Sequence, residues 1–241
     1  MGELTFFIPA RKGSERAKNK NTREVFGRPL IWWTFDAVAG YVGKNTDNVI
    51  VSTDDDAVIE IAKPFNFQIK KRPAELCQSI SRMSDVLSYH TPHFGCDDVC
   101  VLYPTSPLRT TSHIKGAIAV WEAMGGKDMS LMSVSPVYHR PYGLMKCGSD
   151  GILHLNQTCG LDFYQAQMMP VDYRANGAIY IIPASMIRDG KINSQLFCEK
   201  TLAFVMDETT GFEVDMEDDL VVAEALIKNR IFNIADRIGT V

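Results

Sequence analysis

Five short apolar runs constrain how this chain can fold. They are Leu4 to Ile8, Asn48 to Ser52 ("NVIVS"), Val99 to Tyr103 ("VCVLY"), Leu131 to Val134 and Asn176 to Ile182 ("NGAIYII"). Runs this short and this continuous read as strands buried on both faces. Phe67 to Lys70 reads as a further short strand. Segments with helical apolar spacing separate them. Leu30 to Val42 follows a turn at Gly27-Arg28-Pro29, and "TDDD" opens a helix over Ala57 to Lys63. Ser84 to His93 reads as a further helix. Thr111 and Ser112 suit the N-cap region of a helix over Ile114 to Met124, and Asp218 to Ile231 reads as the last one. The alternation predicts an α/β fold with a mainly parallel sheet flanked by helices. The rhythm breaks at about Pro136. Tyr138 to Tyr173 is rich in Tyr, Met, Gly and Gln and shows no helix of normal length. It reads as an inserted arm or hairpin, with short strands near Gly143 to Cys147.

A chain of 241 residues, 46% hydrophobic, is enough for one sizeable core or a core with a small appended module. A net charge of -4 argues against general nucleic-acid binding, so any basic cluster is a local feature. No apolar run approaches the roughly 20 residues that span a bilayer. With no recognisable secretory signal, the expectation is a cytoplasmic protein with no membrane partner. The six cysteines are scattered with no C-x-x-C pair, and read as buried small side chains in a reducing compartment. The five histidines make no ligand-spaced cluster, so no zinc is expected.

The first strand empties into "PARKGSERAKNKN". Loops at the carboxyl ends of parallel strands are where ligands sit. Gly13 permits close backbone approach, while Arg11, Lys12, Arg16, Lys18 and Lys20 suit polyphosphate oxygens. The spacing is neither a Walker A nor G-x-G-x-x-G. The competing reading is a solvated basic loop.

"IPARKGSERAKNKN" resembles the N-terminal signature of the sugar-acid cytidylyltransferases, which activate nonulosonic acids such as sialic acid with CTP. "VIVSTDD", "KRPAEL", "YPTSPLR" and "RANGAIYI" match the same family in the same order. The resemblance implies a GT-A-like (Rossmann-like) core over 1–137 and 174–241, with 138–173 as a dimerisation arm, and hence a homodimer. It implies CTP and an acidic sugar as substrates and Mg²⁺ as the cation. Arg11 and Lys20 match triphosphate-binding positions and Asn21 a position near the nucleotide. Ala10, Ser14 and Arg72 match positions lining the cytidine pocket; a surface salt bridge is the rival for Arg72.

"YPTSPLR" presents Thr105 and Ser106, and Arg109 is either a substrate partner or a helix-entry salt bridge. Tyr103 stands where the sialic-acid branch usually has a sugar-facing Gln. Asn176 and Arg174 match the strand that meets the sugar, although Asn176-Gly177 also suits a simple turn. "GFEVDMEDDL" places Glu213 and Asp215 at the family's D-x-D metal site. Two carboxylates two apart on an extended strand face the same side, and Asp218 and Asp219 suit a helix cap better. "CQSISRMSD" departs from the usual pattern after "RPAEL". Gln165 and Gln167 stand where the arm usually carries a basic residue, and Lys146 aligns loosely as a stand-in. The catalytic set implied is Arg11, Lys20 and Asp215. Rival readings are a Kdo-type CMP-sugar synthetase and a CTP-binding homologue without catalysis.

Overall fold

The computed structural model describes residues 4–126, 129–138, 144–155 and 170–238. In chain order they form β1 (Leu4–Ala10), β2 (Glu24–Val25), β3 (Arg28–Pro29), α1 (Leu30–Val42), β4 (Val49–Thr53), α2 (Asp56–Ala62) and β5 (Gln68–Lys71). Then come α3 (Met83–His90), β6 (Asp98–Val101), α4 (Thr111–Ala123), β7 (Ser130–Pro136), β8 (Met145–Cys147) and β9 (Leu153–Leu155). The chain finishes with β10 (Tyr173–Pro183), α5 (Ala184–Arg188), β11 (Thr201–Val205) and α6 (Glu217–Ile238).

Seven strands make the main sheet, in the order β11-β7-β10-β6-β1-β4-β5. Pairings of β1 with β4 and β6, of β4 with β5, and of β7 with β11 are parallel. Only β10 runs antiparallel, against β6 and β7. The sheet is therefore mainly parallel, as the apolar runs predict.

Alternation along β1 and β4 explains both covered faces. Phe6, Ile8, Val49 and Val51 pack with Ile31 and Phe35 of α1. Phe7 and Ile50 point the other way, into a cluster with Val86 and Leu87 of α3 and Ile187 of α5. Burying each such side chain is worth about 1.5–3 kcal/mol. A third cluster joins Ala17, Val25, Leu30, Leu108 and Val214 to Leu220, Ala223 and Ile227 of α6. It ties the basic loop and the acidic "EVD" stretch to one helix.

Several boundaries differ from the sequence reading. The α4 cap is Thr110, not Thr111 or Ser112. Thr110 Oγ1 accepts from His113 N, and Thr110 N donates to His113 Nδ1 in a capping box. The turn at Gly27 is a small hairpin of β2 and β3, with Phe26 and Gly27 at positive φ. Strand β11 and the short α5 carry no clear period and escape the sequence reading. The expected short strands near Gly143 to Cys147 are the hairpin of β8 and β9, a separate two-stranded sheet. No helix among the described residues is long and apolar enough to cross a membrane.

Candidate active site

The carboxyl ends of β1, β4, β5 and β6 open onto a cleft of about 350 Å³, in the size range of small-molecule sites. The loop after β1 forms one wall. Gly13 takes φ 78°, a conformation that costs glycine little. Lys12 N donates to Asp54 Oδ1 (2.7 Å), and Asn21 Nδ2 donates to the Arg11 carbonyl (3.3 Å). Buried Ala17 pins the far end of the loop in the α6 cluster. The loop is thus held by its backbone, and Arg11, Ser14, Arg16 and Lys20 are left to line the cleft.

The acidic segment faces that wall. Val214 is buried, and its N–H donates to the Thr105 carbonyl at 2.7 Å. The flanking Glu213 and Asp215 sit in a segment that is not a strand, unlike the extended strand expected from the sequence, and of the two it is Asp215 that lines the cleft. Thr105 Oγ1 donates to Glu213 Oε1 at 3.1 Å. Burial pushes the Glu213 carboxyl up and neighbouring Asp215 adds to this; the Thr105 hydrogen bond, Lys20 and Arg174 oppose it. Asp215 pairs with Arg16 and lies 3.5 Å from Lys20 Nζ. Lys20 Nζ also donates to the Val214 carbonyl at 3.0 Å. Asp219, at the start of α6, accepts from the N–H groups of Asp215 and Met216 at 2.7 Å each. That capping role fits Asp219 as the sequence suggested, and it fixes Asp215 at the cleft mouth. No group of three or more metal-ligating side chains occurs among the described residues. Two carboxylate arms beside a polyphosphate-sized basic wall still fit a hard cation that arrives with phosphate oxygens and keeps waters.

Arg72, the first residue beyond β5, is 4% exposed and lines the cleft. Its Nε donates to Ser52 Oγ and its Nη2 to the Ser52 carbonyl, each at 3.2 Å. It is not a surface salt bridge. Tyr103 closes this end, with its ring edge-on to Tyr180 at 5.7 Å; burial raises its phenol pKa.

Three expected substrate contacts are placed elsewhere. Arg109 is 2% exposed. Its Nη1 donates to the Ala178 and Tyr103 carbonyls (2.7 and 3.2 Å) and its Nη2 to Thr34 Oγ1 (2.6 Å). It is neither a substrate arm nor a helix-entry salt bridge but a brace between the Tyr103 loop and β10. Ser106 is fully buried and donates to the Asn176 carbonyl at 3.3 Å.

Asn176 is fully buried too, at an irregularity where the β7–β10 register shifts. Its Oδ1 accepts from Ser133 Oγ (2.5 Å) and Ala178 N (3.2 Å), and its Nδ2 donates to Ser135 Oγ (2.9 Å). These three bonds hold the bulge and bring Gly177 close to Glu213; a Cβ on Gly177 would come within 2.9 Å of Glu213 Oε1. Ala10 has its side chain in the core, and its carbonyl accepts from Thr53 Oγ1 at 2.6 Å. Arg174 is exposed, near enough to Glu213 to oppose its raised pKa. Gln165, Gln167 and His139 lie outside the described residues, and Lys146 is exposed on β8.

The sequence reading missed the opposite wall. Gln78, Ser79, Ser81 and Met83, from the unusual "CQSISRMSD" stretch, line the cleft across from the basic loop. The run of hydroxyls directly after the Arg72 segment was the available signal.

A family model described as Cytidylyltransferase matches residues 5–136, from β1 to the end of β7. The chain belongs to the cytidylyltransferase family. The cleft lies within the matched span except for its acidic edge, which α6 brings back. Relatives cover nearly the whole chain. "Post-translational flagellin modification protein B" of Campylobacter coli is 28% identical over 237 residues, 95% of this chain and 97% of that one. "CMP-N,N'-diacetyllegionaminic acid synthase" of Legionella pneumophila is 28% identical over 229 residues, 92% and 94% respectively. "N-acylneuraminate cytidylyltransferase" of Escherichia coli is 28% identical over 240 residues, 95% of this chain but 53% of that longer one. Among solved structures, a CMP:2-keto-3-deoxy-manno-octonic acid synthetase complexed with CTP superposes with TM-score 0.69. It is 16% identical and the match covers 95% of this chain and 99% of that one, a likeness of fold.

Proposed function

We propose that this cytidylyltransferase transfers CMP from CTP to the anomeric hydroxyl of a nonulosonic acid and releases pyrophosphate. The observation that carries the reading is one cleft holding Arg11, Arg16, Lys20 and Arg72 with Asp215 at its edge, in a chain whose full-length relatives include a CMP-diacetyllegionaminic acid synthase. The base lies at the end formed by Arg72, Ser14 and the Ala10 backbone. The triphosphate lies along Arg11, Arg16 and Lys20. The sugar enters past Tyr103, Thr105 and Arg174.

The hydroxyl oxygen attacks the α-phosphorus in line and gives up its proton to solvent, and the bond from that phosphorus to the bridging oxygen of the β-phosphate breaks, with the electron pair leaving on pyrophosphate. Charge grows on the departing pyrophosphate, where Arg11 and Lys20 offset it. Glu213 and Asp215 would hold Mg²⁺, which would supply charge neutralisation and orient the phosphates. Arg16, which pairs with Asp215 in the structure, would then be available to phosphate. The half-exposed pairing it leaves is worth little.

The arm over 138–173 is proposed as a homodimer contact. Leu144, Met145, Ile152 and Leu153 around the β8–β9 hairpin are all exposed, as are Val171 and Tyr173. A stable dimer hides about 1,600 Å² in total, and a hairpin of this composition suits that role. Light scattering that shows an active monomer at micromolar concentration contradicts it.

The test of the reaction is pyrophosphate release with CTP and Mg²⁺ against a panel of N-acetylneuraminic acid, diacetyllegionaminic acid and 3-deoxy-manno-octulosonic acid. Release with a nine-carbon acid is expected. Release with the eight-carbon acid alone favours the Kdo-type rival, and CTP binding without release from any acid contradicts the enzyme reading.

A further inference from the structure

Strand β4 is apolar on both faces except at its end. Ile50 packs against α3, and two residues on, Ser52 leaves from the same face, fully buried. A buried hydroxyl on an apolar face needs partners. Ser52 has two side-chain partners. Arg72 Nε donates to Ser52 Oγ at 3.2 Å, and Ser52 Oγ lies 2.8 Å from His90 Nε2. His90 is the last residue of α3 and 1% exposed, wedged against Phe7 at a ring distance of 5.2 Å. The three residues form one chain of polar groups running from the core to the cleft wall.

We propose that Ser52 and His90 are positioning residues that hold the Arg72 guanidinium toward the base end of the nucleotide cleft. After accepting from the Arg72 Nε–H, Ser52 Oγ keeps its own proton and a second lone pair, so it can meet neutral His90 Nε2 in either tautomer. His90 Nδ1 is buried without a hydrogen-bond partner, so Ser52 is the one polar anchor of the ring among the described residues. The ring is neutral. Burial lowers its pKa to about 4, with the charges of Arg72, His93 and Lys70 adding to the effect. A protonated ring would turn Nε2 into a donor and set a second positive charge near Arg72. The neutral form keeps Ser52 as the relay. Arg72 also gives Nη2 to the Ser52 carbonyl, so both bonds fix one orientation of the fork, while Nη1 has no protein acceptor among the described residues. A long flexible side chain at a pocket wall loses rotamer freedom when a ligand orders it. The relay removes that cost before the nucleotide arrives.

The inference rests on the reading of Arg72 as a nucleotide contact, and the experiment separates the two. CTP with Mg²⁺ is titrated calorimetrically into the full chain and its Ser52→Ala, His90→Phe, His90→Gln and Arg72→Met variants, and into Arg72→Met combined with Ser52→Ala. Ser52→Ala and His90→Phe should each weaken CTP binding about tenfold, the equivalent of one hydrogen bond to a charged group. His90→Gln, whose amide can reach Ser52 Oγ, should recover most of the loss. In the Arg72→Met background Ser52→Ala should add nothing, which a purely structural role of Ser52 would not produce. If Arg72→Met weakens binding while Ser52→Ala and His90→Phe bind as the parent does, the relay is overturned and the cleft reading survives. If Arg72→Met itself binds CTP normally, both fall. Ser52→Ala removes a single oxygen, so it keeps the test decisive should His90→Phe fail to fold.

Discussion

At the cleft wall, Arg72 spends Nε and Nη2 on Ser52. In the loop after β6, Arg109 spends Nη1 on two carbonyls and Nη2 on Thr34. Both are buried, both follow a strand of the same sheet, and both sit in motifs that resemble one family. What separates them is where the acceptors come from. Arg72 takes both of its acceptors from one neighbouring strand residue, which leaves part of the fork at the cleft. Arg109 takes three from three different segments and joins them, and its Nε is buried without a partner, away from the cleft lining. A buried arginine is a ligand group only where the donors left over by the fold face the cleft.

Substitution should break this symmetry most visibly at Arg109. Arg109→Met leaves the Tyr103 and Ala178 carbonyls short of a donor in the core, and should cost about 3 kcal/mol of stability. Denaturant titration reads it; a midpoint unchanged from the parent means the brace is dispensable. Arg72→Met should show the opposite pattern. Its site borders a cleft open to water, and Ser52 keeps His90 as a partner. Stability should stay within about 1 kcal/mol while CTP affinity falls about thirtyfold. Equal losses of stability in the two variants would erase the distinction.

Acid should then act through the Arg72 side. His90 binds its proton near pH 6.5 when unfolded but only at about 4 in the folded chain. Between those values the unfolded state carries more protons, so stability falls as pH drops through that window, by about 1.4 kcal/mol per pH unit at most. Melting curves from pH 7 to 4.5 should show this fall, and His90→Gln should flatten it. An identical fall in His90→Gln assigns the effect to another group. The smallest effect is expected at Glu213→Asp. Its carboxylate is held by Thr105 and partnered by Asp215, and shortening it by one methylene should cost a few-fold in rate with a raised Mg²⁺ requirement. Rate against Mg²⁺ concentration measures it; complete loss would make Glu213 the principal cation ligand.

These contrasts also mark what was legible beforehand. Strands β1, β4 and β6 were readable because they are apolar on both faces, and their loops were readable as ligand loops for the same reason. Strand β11 was not, because Thr201 and Leu202 at an edge are only half-buried and show no period. As cleft-lining residues, Arg11 and Lys20 were legible from the basic loop after β1, while Arg72 and Asp215 were legible through the resemblance of their motifs to the family. Asn176 was not. Its partners Ser133 and Ser135 lie 43 and 41 residues away, and nothing local distinguishes a bulge-holding Asn-Gly from a sugar contact or a turn. Arg109 failed for the same reason, as two of its acceptors come from Thr34 and Ala178, about 70 residues off in either direction. The hydroxyl wall of Ser79 and Ser81 was visible as composition only, because its placement depends on α3 packing over Phe7 and Ile50.

The central claim is that the basic wall and the acidic edge of one cleft act together on a triphosphate. The direct test is the steady-state rate of pyrophosphate release from CTP, Mg²⁺ and an accepted nonulosonic acid, compared between the parent and its Lys20→Ala and Asp215→Asn variants at matched folding. The predicted result is a loss of about 10²–10³-fold in each, with Asp215→Asn rescued poorly by added Mg²⁺. Parent-like rates and Mg²⁺ dependence in both variants would contradict it.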